Sequence, residues 1–428
     1  MTTGTSRSPQ VSDRPAILGG SPAVDLPQEE ANRWPIITAE DERAVLEVLR
    51  SGQLSIHEVV TALEEDYKRW LDMPIAVAHN NGTGAIHAAL HAFDIGPGDE
   101  VIVPSATWWS SVMPILHHGG VPVFAETEEQ CIGLDPADVE KRIADRTKAI
   151  MVVHLFGMPS KMDELMAVAN KHNLKVLEDA SHAHGAVYKG RKIGTIGDAA
   201  VFSMQANKLL PSAEGGMFLT RDPEMWEKVI RYGHYERLLP MKGSPNRRFA
   251  ATGFGMKYRM SPLSAAVART QLKSLPERNA RRNENCICLS EKLEKLGFQT
   301  FLAPEGVQRV YFEFLIRYDQ SQTGLPIGDL ARALQAEGAL VGAPRYPLLH
   351  QQPVFTEGVW AKIARLQGTA KQPLREYDPR DLPRTTMGNA SLLKLPSFPN
   401  ADRPLLDQYA RAFEKVMAHA DDLPREDK

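Results

Sequence analysis

The stretch GDAAVFSMQANKLLPSAEGGMFLT, residues 197–220, holds two short apolar runs on either side of a loop that carries a lysine. The runs AAVFS (199–203) and GGMFLT (215–220) have the length and composition of buried strands. Their connection is too short for a helical crossover, so the second strand is predicted to run antiparallel to the first. Lys208 stands among apolar and small residues, where burial would lower its pKa and free the amine for imine chemistry.

Upstream of this stretch, strand-like and helix-like segments alternate. Strands are predicted at 101–103, 121–126, 149–157 and 175–179. Helices are predicted at 58–72, 84–93, 107–117, 135–144 and 160–172. Short apolar strands separated by helices indicate a mainly parallel sheet that is covered on both faces.

The pattern changes after residue 262. A long helix begins there and is followed by a strand at 311–318, a helix at 328–338 and a strand at ALVGAP (339–344). This order is typical of an α+β unit and predicts a second, smaller domain. The predicted division is a disordered tail (1–15), a large domain (16–275) whose N-terminal segment is free to pack on the small domain, and the small domain (276–428).

Residues 356–390 lack periodicity and contain several prolines. A long loop of this kind is either a functional lid or a disordered segment. Both interpretations stay open at the level of the sequence.

The composition narrows the class of protein. In 428 residues, 50 Lys and Arg face 53 Asp and Glu, a net charge of −3 that gives no reason to expect a nucleic-acid partner. No apolar run reaches the ~20 residues of a membrane span, and the polar N-terminus is not a secretory signal, so a cytoplasmic location is expected. Cys131, Cys286 and Cys288 form neither a disulfide framework nor a zinc motif; they are interpreted as ordinary buried or half-buried thiols, with no metal site.

Two further stretches carry potential chemistry. NNGTGAIHAAL places Gly82, Thr83 and Gly84 at the start of a helix, where backbone N–H groups and the helix dipole favour an anion. LEDASHAHGA places Asp179 at the carboxyl end of a parallel strand, the edge at which open α/β sheets bind ligands. Alone, the glycine-rich helix start is also typical of an ordinary helix cap, and the carboxylate at the strand end of a cap or a salt bridge. A single lysine such as Lys208 is most often a solvated surface charge. Together with Lys208 they meet the requirements of pyridoxal 5'-phosphate: a phosphate cradle, a carboxylate for the ring nitrogen and an imine-forming lysine.

With these stretches in place, the chain resembles the DegT/DnrJ/StrS-type sugar aminotransferase family of fold-type I pyridoxal-phosphate enzymes. GPGDEVIVPSATW, HLFGMPSKMDEL, KYRMSPLSAAVARTQL and YPLLHQQPVF match as well, in the family's order, from about residue 50 to 398. The resemblance implies an αβα sandwich around a mainly parallel sheet, a smaller C-terminal α+β domain, and pyridoxal 5'-phosphate as the cofactor.

The resemblance also implies roles for individual residues. Lys208 would hold the cofactor covalently and move the proton, and Asp179 would pair with the ring nitrogen. His182 would lie beside the phenolic oxygen, and Trp108 would stack on the ring. The backbone of residues 82–84 and the Ser203 hydroxyl would hold the phosphate.

Some positions depart from the family pattern. Lys257 stands where the family commonly has Asn, a residue that reaches the partner subunit's phosphate in a homodimer with shared active sites. Ala213 replaces the first Gly of GEGG. The common Gly of the SxG segment is missing in LSIHEVV, where His57 stands near its position. His350 matches a substrate-proximal position, with a structural histidine as the alternative. His154 and His184 are taken as structural.

The implied function is transfer of an amino group from L-glutamate or L-glutamine to a keto-sugar or a scyllo-inosose-like ketocyclitol, as in aminocyclitol antibiotic biosynthesis. A nucleotide-linked keto-sugar is the alternative acceptor, for which Arg345, the pair Arg247 and Arg248, or the 356–390 loop would supply cations. A sugar dehydratase is disfavoured, since that branch has His at the position of Lys208. A non-catalytic regulatory homologue remains the other alternative.

Overall fold

The structure is a computed structural model that describes residues 14–130, 132–367 and 374–425. Most of the predicted tail and Cys131 lie outside the described residues. The strands are β1 (Ile75–His79), β2 (Glu100–Pro104), β3 (Val121–Ala125), β4 (Thr147–Val153), β5 (Lys175–Asp179), β6 (Val187–Tyr188), β7 (Arg191–Lys192), β8 (Ala199–Ser203), β9 (Gly216–Thr220), β10 (Val307–Gln308), β11 (Phe314–Arg317) and β12 (Leu392–Leu395).

The α-helices surround these strands. They are α1 (Glu29–Asn32), α2 (Ala39–Ser51), α3 (Glu58–Leu71), α4 (Gly82–Ala92), α5 (Met113–His117), α6 (Pro136–Lys141), α7 (Met162–Lys171), α8 (Pro223–Gly233), α9 (Pro262–Glu294), α10 (Ile327–Ala336), α11 (Pro353–Thr356), α12 (Val359–Ile363), α13 (Pro383–Ala390) and α14 (Arg403–Ala418).

The main sheet has the strand order β1-β9-β8-β5-β4-β2-β3. Neighbours from β8 through β5, β4 and β2 to β3 are parallel, whereas β9 is antiparallel to both β8 and β1. The predicted α/β class and the antiparallel strand after the lysine loop are therefore confirmed. The register pairs Val153 with Asp179, Asp179 with Val201, and Ser203 with Gly216, so one edge of the sheet collects the ends of β4, β5 and β8 and the start of β9.

The hydrophobic core has two parts. The larger part covers the main sheet, whose strands β2 and β3 are buried along their whole length, as expected for a sheet covered on both faces. The smaller part is built from the end of α9, α10, α14 and β11 with β12, and it also takes in Ala23 and Val24. The N-terminal segment is held there because Val24 N–H donates to Glu337 O over 2.9 Å.

Two predicted elements are shorter than expected. The segment 107–117 is not one helix: Trp109–Ser111 is a 3-10 turn, and α5 begins only at Met113. Pro114 in the first turn explains the break, because proline starts a helix readily but cannot continue one. The predicted strand 149–157 ends at Val153, and Leu155–Gly157 turns away as a 3-10 segment with Phe156 at φ 53°.

The region after residue 338 departs furthest from the sequence expectation. ALVGAP (339–344) forms only an isolated bridge between Gly342 and Lys394. Within 356–390, the described residues include α12 and α13 rather than an aperiodic loop. Trp360 and Tyr377 are buried in the larger core, and Tyr377 Oη donates to Pro122 O over 2.6 Å. The buried side chains of the described part of this segment therefore pack on the larger core.

Within the described ranges, no helix combines the length and apolar character needed to cross a bilayer.

Candidate active site

A cavity of 450 Å³ opens at the edge of the main sheet where β5 and β8 end. Most of the predicted site residues line it together: Gly82, Thr83, Trp108, Asp179, His182, Ser203 and Lys208. Trp108 is 44% exposed, and its ring centroid lies 5.6 Å from that of Tyr346. One chain thus brings together residues that are up to 126 positions apart in the sequence, from Gly82 to Lys208.

The start of α4 forms the anion cradle of this cavity. Asn81 Oδ1 accepts the Gly84 N–H over 2.7 Å and caps the helix, so the Gly84 amide is already used, whereas Gly82 and Thr83 face the cavity. A Cβ on Gly82 would lie 2.8 Å from the Cβ of Ser203, so only glycine lets the helix end sit this close to β8. The backbone amides of Gly82 and Thr83 and the neighbouring Ser203 hydroxyl fit a phosphate group.

Asp179 is almost fully buried at the end of β5. Its Oδ2 accepts from Ser111 Oγ over 2.8 Å, and its Oδ1 accepts from Ser181 N–H over 3.2 Å. Both donors are neutral, so they orient the carboxylate without cancelling its charge. The carboxylate therefore fits a protonated ring nitrogen.

Lys208 lies in the loop after β8, with its Nζ 4.6 Å from the centroid of the Phe312 ring. Burial lowers the pKa of the Lys208 ammonium to about 8, against an opposing effect of Asp179. The lowered pKa matches the expectation from the sequence and makes a neutral amine accessible near neutral pH. Trp34 Nε1–H donates to the Lys208 carbonyl oxygen over 3.0 Å, a contact that nothing in the sequence indicates.

His182 is stacked on Phe312 with ring centroids 4.1 Å apart. Its Nδ1 accepts the Phe156 N–H over 3.3 Å, which assigns the ring proton to Nε2, 3.2 Å from Tyr346 Oη. Burial lowers the pKa of His182 well below its usual value, so the ring is neutral. The sequence did not single out Phe312 or Tyr346, although Tyr346 begins the family-like YPLLHQQPVF.

Besides Gly84, which is absent from the described cavity lining, two predicted contacts lie elsewhere. Lys257 is exposed and is not among the described residues that line the cavity of its own chain. His350 is buried outside the cavity lining, where its Nδ1 lies 2.7 Å from Ser105 Oγ and its backbone N–H donates to the same hydroxyl over 3.1 Å. These bonds tie the 3-10 segment Leu349–Gln351 to Ser105, whereas His350 Nε2 has no hydrogen-bond partner among the described residues, so the substrate contact stays a prediction.

His184, His57 and Ala213 lie in places that stabilise the fold. His184 Nε2 lies 3.1 Å from Tyr67 Oη in the core, and His57 caps α3 by accepting the Val59 N–H. Ala213 has φ 66°, the left-handed region that favours glycine, which explains why a glycine is common there.

Cys286 and Cys288 are buried free thiols, which confirms their interpretation. Among the described residues, no cluster of three or more His, Cys, Asp or Glu side chains is arranged to hold a metal ion.

Cradle, carboxylate and lysine thus agree in chemistry and placement with pyridoxal 5'-phosphate: Gly82, Thr83 and Ser203 would hold the phosphate, Asp179 the ring nitrogen, and Lys208 the carbonyl carbon. A fold-type I α/β sheet with this site is typical of a pyridoxal-phosphate-dependent enzyme.

Comparison with known proteins specifies the family. Residues 35–414 match the model of the DegT/DnrJ/EryC1/StrS aminotransferase family, and the chain belongs to that family. It is similar to the L-glutamine:2-deoxy-scyllo-inosose aminotransferase of Streptomyces lividus, with 33% identity over 95% of this chain and 98% of the relative.

Two further proteins are also similar. GDP-perosamine synthase of Caulobacter vibrioides is 39% identical over 61% of this chain and 70% of its own length. The structure of DesV of S. venezuelae, solved in complex with a ketimine intermediate, superposes with a TM-score of 0.73 at 32% identity, covering 91% of this chain and 95% of DesV.

Proposed function

We propose that this aminotransferase moves the amino group of L-glutamine, or of L-glutamate, to a ketocyclitol of the scyllo-inosose type or a related keto-sugar. The observation that carries the proposal is the match along almost the whole length of a relative named for that donor and that class of acceptor. Such an enzyme would serve the biosynthesis of aminocyclitols, as in antibiotic pathways.

The cavity lining supports a polyhydroxy acceptor. Besides the cofactor-binding groups, it carries side chains with hydroxyl, amide and carboxylate groups: Ser110, Ser181, Gln205, Asn207 and Glu214. A site built to hydrogen-bond hydroxyl groups rejects analogues that lack them, because its own polar groups would be left unpaired.

The bound cofactor supplies an electron sink for the bond cleaved at the donor's α-carbon. Lys208 Nζ, with a pKa of about 8, would be the base that takes the proton from this carbon and delivers it to C4′ of the cofactor. Asp179, oriented by Ser111, would hold a positive charge on the ring nitrogen. His182 stays neutral, and its Nε2–H is a hydrogen-bond donor. The aromatic rings of Phe156 and Phe312 stack on His182 and exclude water from that side of the cavity.

A nucleotide-linked keto-sugar is the second candidate acceptor, favoured by the 39% identity to GDP-perosamine synthase. A diphosphate needs cationic partners. Within the described lining, Lys208 and Arg345 are the only cations, and Lys208 is committed to the cofactor. Arg247 and Arg248 do not line this cavity, which favours the neutral acceptor.

We also propose a cytoplasmic homodimer. The exposed position of Lys257, outside its own cavity, supports a contact with the phosphate in the other subunit's site. The free thiols of Cys286 and Cys288 are compatible with a reducing compartment.

A half-reaction screen tests the proposed function. The loaded enzyme is converted by L-glutamine, and recovery of the original absorbance is then followed with single acceptors. We expect fast recovery with scyllo-inosose-like ketones and slow recovery with pyruvate or oxaloacetate. Recovery with GDP-linked or TDP-linked keto-sugars alone would favour the second candidate, and recovery with simple keto-acids alone would contradict both.

A further inference from the structure

The proposed reaction places two unlike molecules in one cavity in turn: a donor amino acid with a carboxylate and an acceptor with only hydroxyl groups. A fixed cation suits the first and would be left unpaired by the second. We propose that Arg345, paired with Glu313, binds the donor's α-carboxylate in the first half-reaction and acceptor hydroxyls in the second. This inference rests on the proposed function.

The position of Arg345 is the first observation. It lines the cavity, and within the described lining only Lys208 is also cationic. The Arg345 guanidinium carbon lies 5.6 Å from the centroid of the Phe312 ring, and Lys208 Nζ lies 4.6 Å from the same centroid. The guanidinium and the Lys208 amine thus face the same aromatic ring in one cavity, and Arg345 acts on Lys208 directly by lowering the pKa of its ammonium.

The second observation is how little of the guanidinium is used inside the protein. Arg345 Nε donates to Glu313 Oε1, and this is its one hydrogen bond among those given for the described residues. The Arg345 side chain is 40% exposed, whereas that of Glu313 is 5% exposed. The Nη1 and Nη2 groups thus remain for a ligand, and their fork geometry matches both oxygens of a carboxylate.

Glu313 explains how the same group accepts a neutral molecule. Its buried carboxylate neutralises the guanidinium, and its Oε2 has no hydrogen-bond partner among the described residues. When the donor's carboxylate leaves, Arg345 keeps a counter-charge, so hydroxyl groups can accept from Nη1 and Nη2 without a stranded cation. The two members of the pair have opposite effects on the pKa of the Lys208 ammonium: Arg345 lowers it and Glu313 raises it.

Neighbouring contacts hold the pair in place. Tyr346 follows Arg345 directly, its ring stacks on Phe156 with centroids 5.7 Å apart, and its hydroxyl lies 3.2 Å from His182 Nε2. The backbone that carries Arg345 is therefore tied to the cofactor-facing side of the cavity.

The test uses the holoenzyme and two variants, Arg345→Gln and Glu313→Gln, with Arg247→Gln as the control, because Arg247 bonds Leu239 O outside the cavity. Donor binding is measured by calorimetry with α-methylglutamine, which has no α-proton to lose. Acceptor use is measured as the KM of the second half-reaction. Circular dichroism and urea unfolding verify that each variant is folded.

We expect Arg345→Gln to raise the Kd of α-methylglutamine about tenfold to a hundredfold, and the acceptor KM by less, about threefold to tenfold. Glu313→Gln should preserve or tighten donor binding and raise the acceptor KM, because the cation is no longer neutralised. The control should change neither.

An unchanged donor Kd in Arg345→Gln would overturn the inference even where polyhydroxy ketones are good acceptors. A tenfold weaker donor Kd, with no polyhydroxy ketone accepted by the wild type, would support the carboxylate contact and overturn the proposed function. Equal acceptor KM values in wild type and Glu313→Gln would overturn the role given to Glu313.

Discussion

Two adjacent carboxylates at the end of β5 lie on opposite sides of the strand and have different surroundings. Asp179 faces the cavity and accepts from two neutral donors, Ser111 and Ser181. Glu178 faces the other side and accepts from His154 Nε2 and from three backbone amides in the turn 194–197. Alternation of side chains along a strand separates the two, although they are neighbours in sequence.

This difference shows how a functional carboxylate can be told from a structural one at the same strand end. The hydrogen bonds of Glu178 fill its acceptor positions: burial alone would raise its pKa, but the bonds from His154 and the turn outweigh this and lower it. Asp179 keeps capacity for a charged ligand. Substitutions on the cavity side are therefore expected to lower catalysis, and substitutions on the opposite side to lower stability.

The largest effect is expected from Lys208→Ala on the cavity side. Transamination should fall by more than about 10³-fold, because both covalent attachment of the cofactor and proton transfer are lost. Borohydride reduction followed by peptide mapping should label Lys208 in the wild type and give no label in the variant. Lys242→Ala, at an exposed position, is the control; a label at another lysine would refute the assignment.

Asp179→Asn should retain the fold and lose transamination by about 10²-fold to 10³-fold. An uncharged amide no longer stabilises the protonated ring nitrogen, and each ~1.4 kcal/mol of lost stabilisation is tenfold in rate. Single-turnover rates with the donor measure the loss. If this variant turned over at near wild-type rates, Asp179 would not hold the ring nitrogen.

Glu178→Gln should have the opposite profile. Loss of charge-assisted bonds in a buried site should lower the free energy of unfolding by about 1–3 kcal/mol, with kcat nearly unchanged in the folded fraction. Urea unfolding measures the first quantity and a saturated assay the second. A stable but inactive variant would contradict the division between the two sides.

The same variant has a defined pH dependence. The pKa of Glu178 is lower in the folded state than its ordinary 4.5, so its stabilising contribution is present above that value and is lost as pH falls through the folded pKa. The difference in unfolding free energy between wild type and Glu178→Gln should therefore be constant near neutral pH and shrink in acid.

The smallest effect is expected from Trp34→Phe, which keeps an aromatic ring but removes the indole donor to the Lys208 carbonyl. One neutral hydrogen bond contributes about 1 kcal/mol, so kcat should fall no more than about fivefold, with little change in KM. Steady-state kinetics of wild type and variant measure both constants, and an unchanged kcat would show that this bond does not position Lys208.

Much of the fold followed from local pattern. Apolar runs located every strand of the main sheet except β1, which was not predicted, and the short link after Lys208 indicated an antiparallel β9. The prediction of one continuous helix at 107–117 was wrong, because Pro114 has no backbone N–H and starts a separate helix, α5. The sequence pattern of residues 356–390 did not predict α12 and α13. Buried side chains in the described part of this segment, such as Trp360 and Tyr377, pack on the main-sheet core without regular spacing.

For the site, the sequence by itself determined Lys208, Asp179 and the start of α4, because each lies at the end of an element whose apolar pattern is local. Only the tertiary structure decided that Glu178 bonds to His154 and to the turn 194–197 on the opposite side, and that His350 lies outside the cavity lining. It also decided the pairing of Arg345 with Glu313 and the contact of Trp34 with Lys208. Those contacts join residues 32 and 174 positions apart, and they depend on how whole elements pack, which no local periodicity encodes.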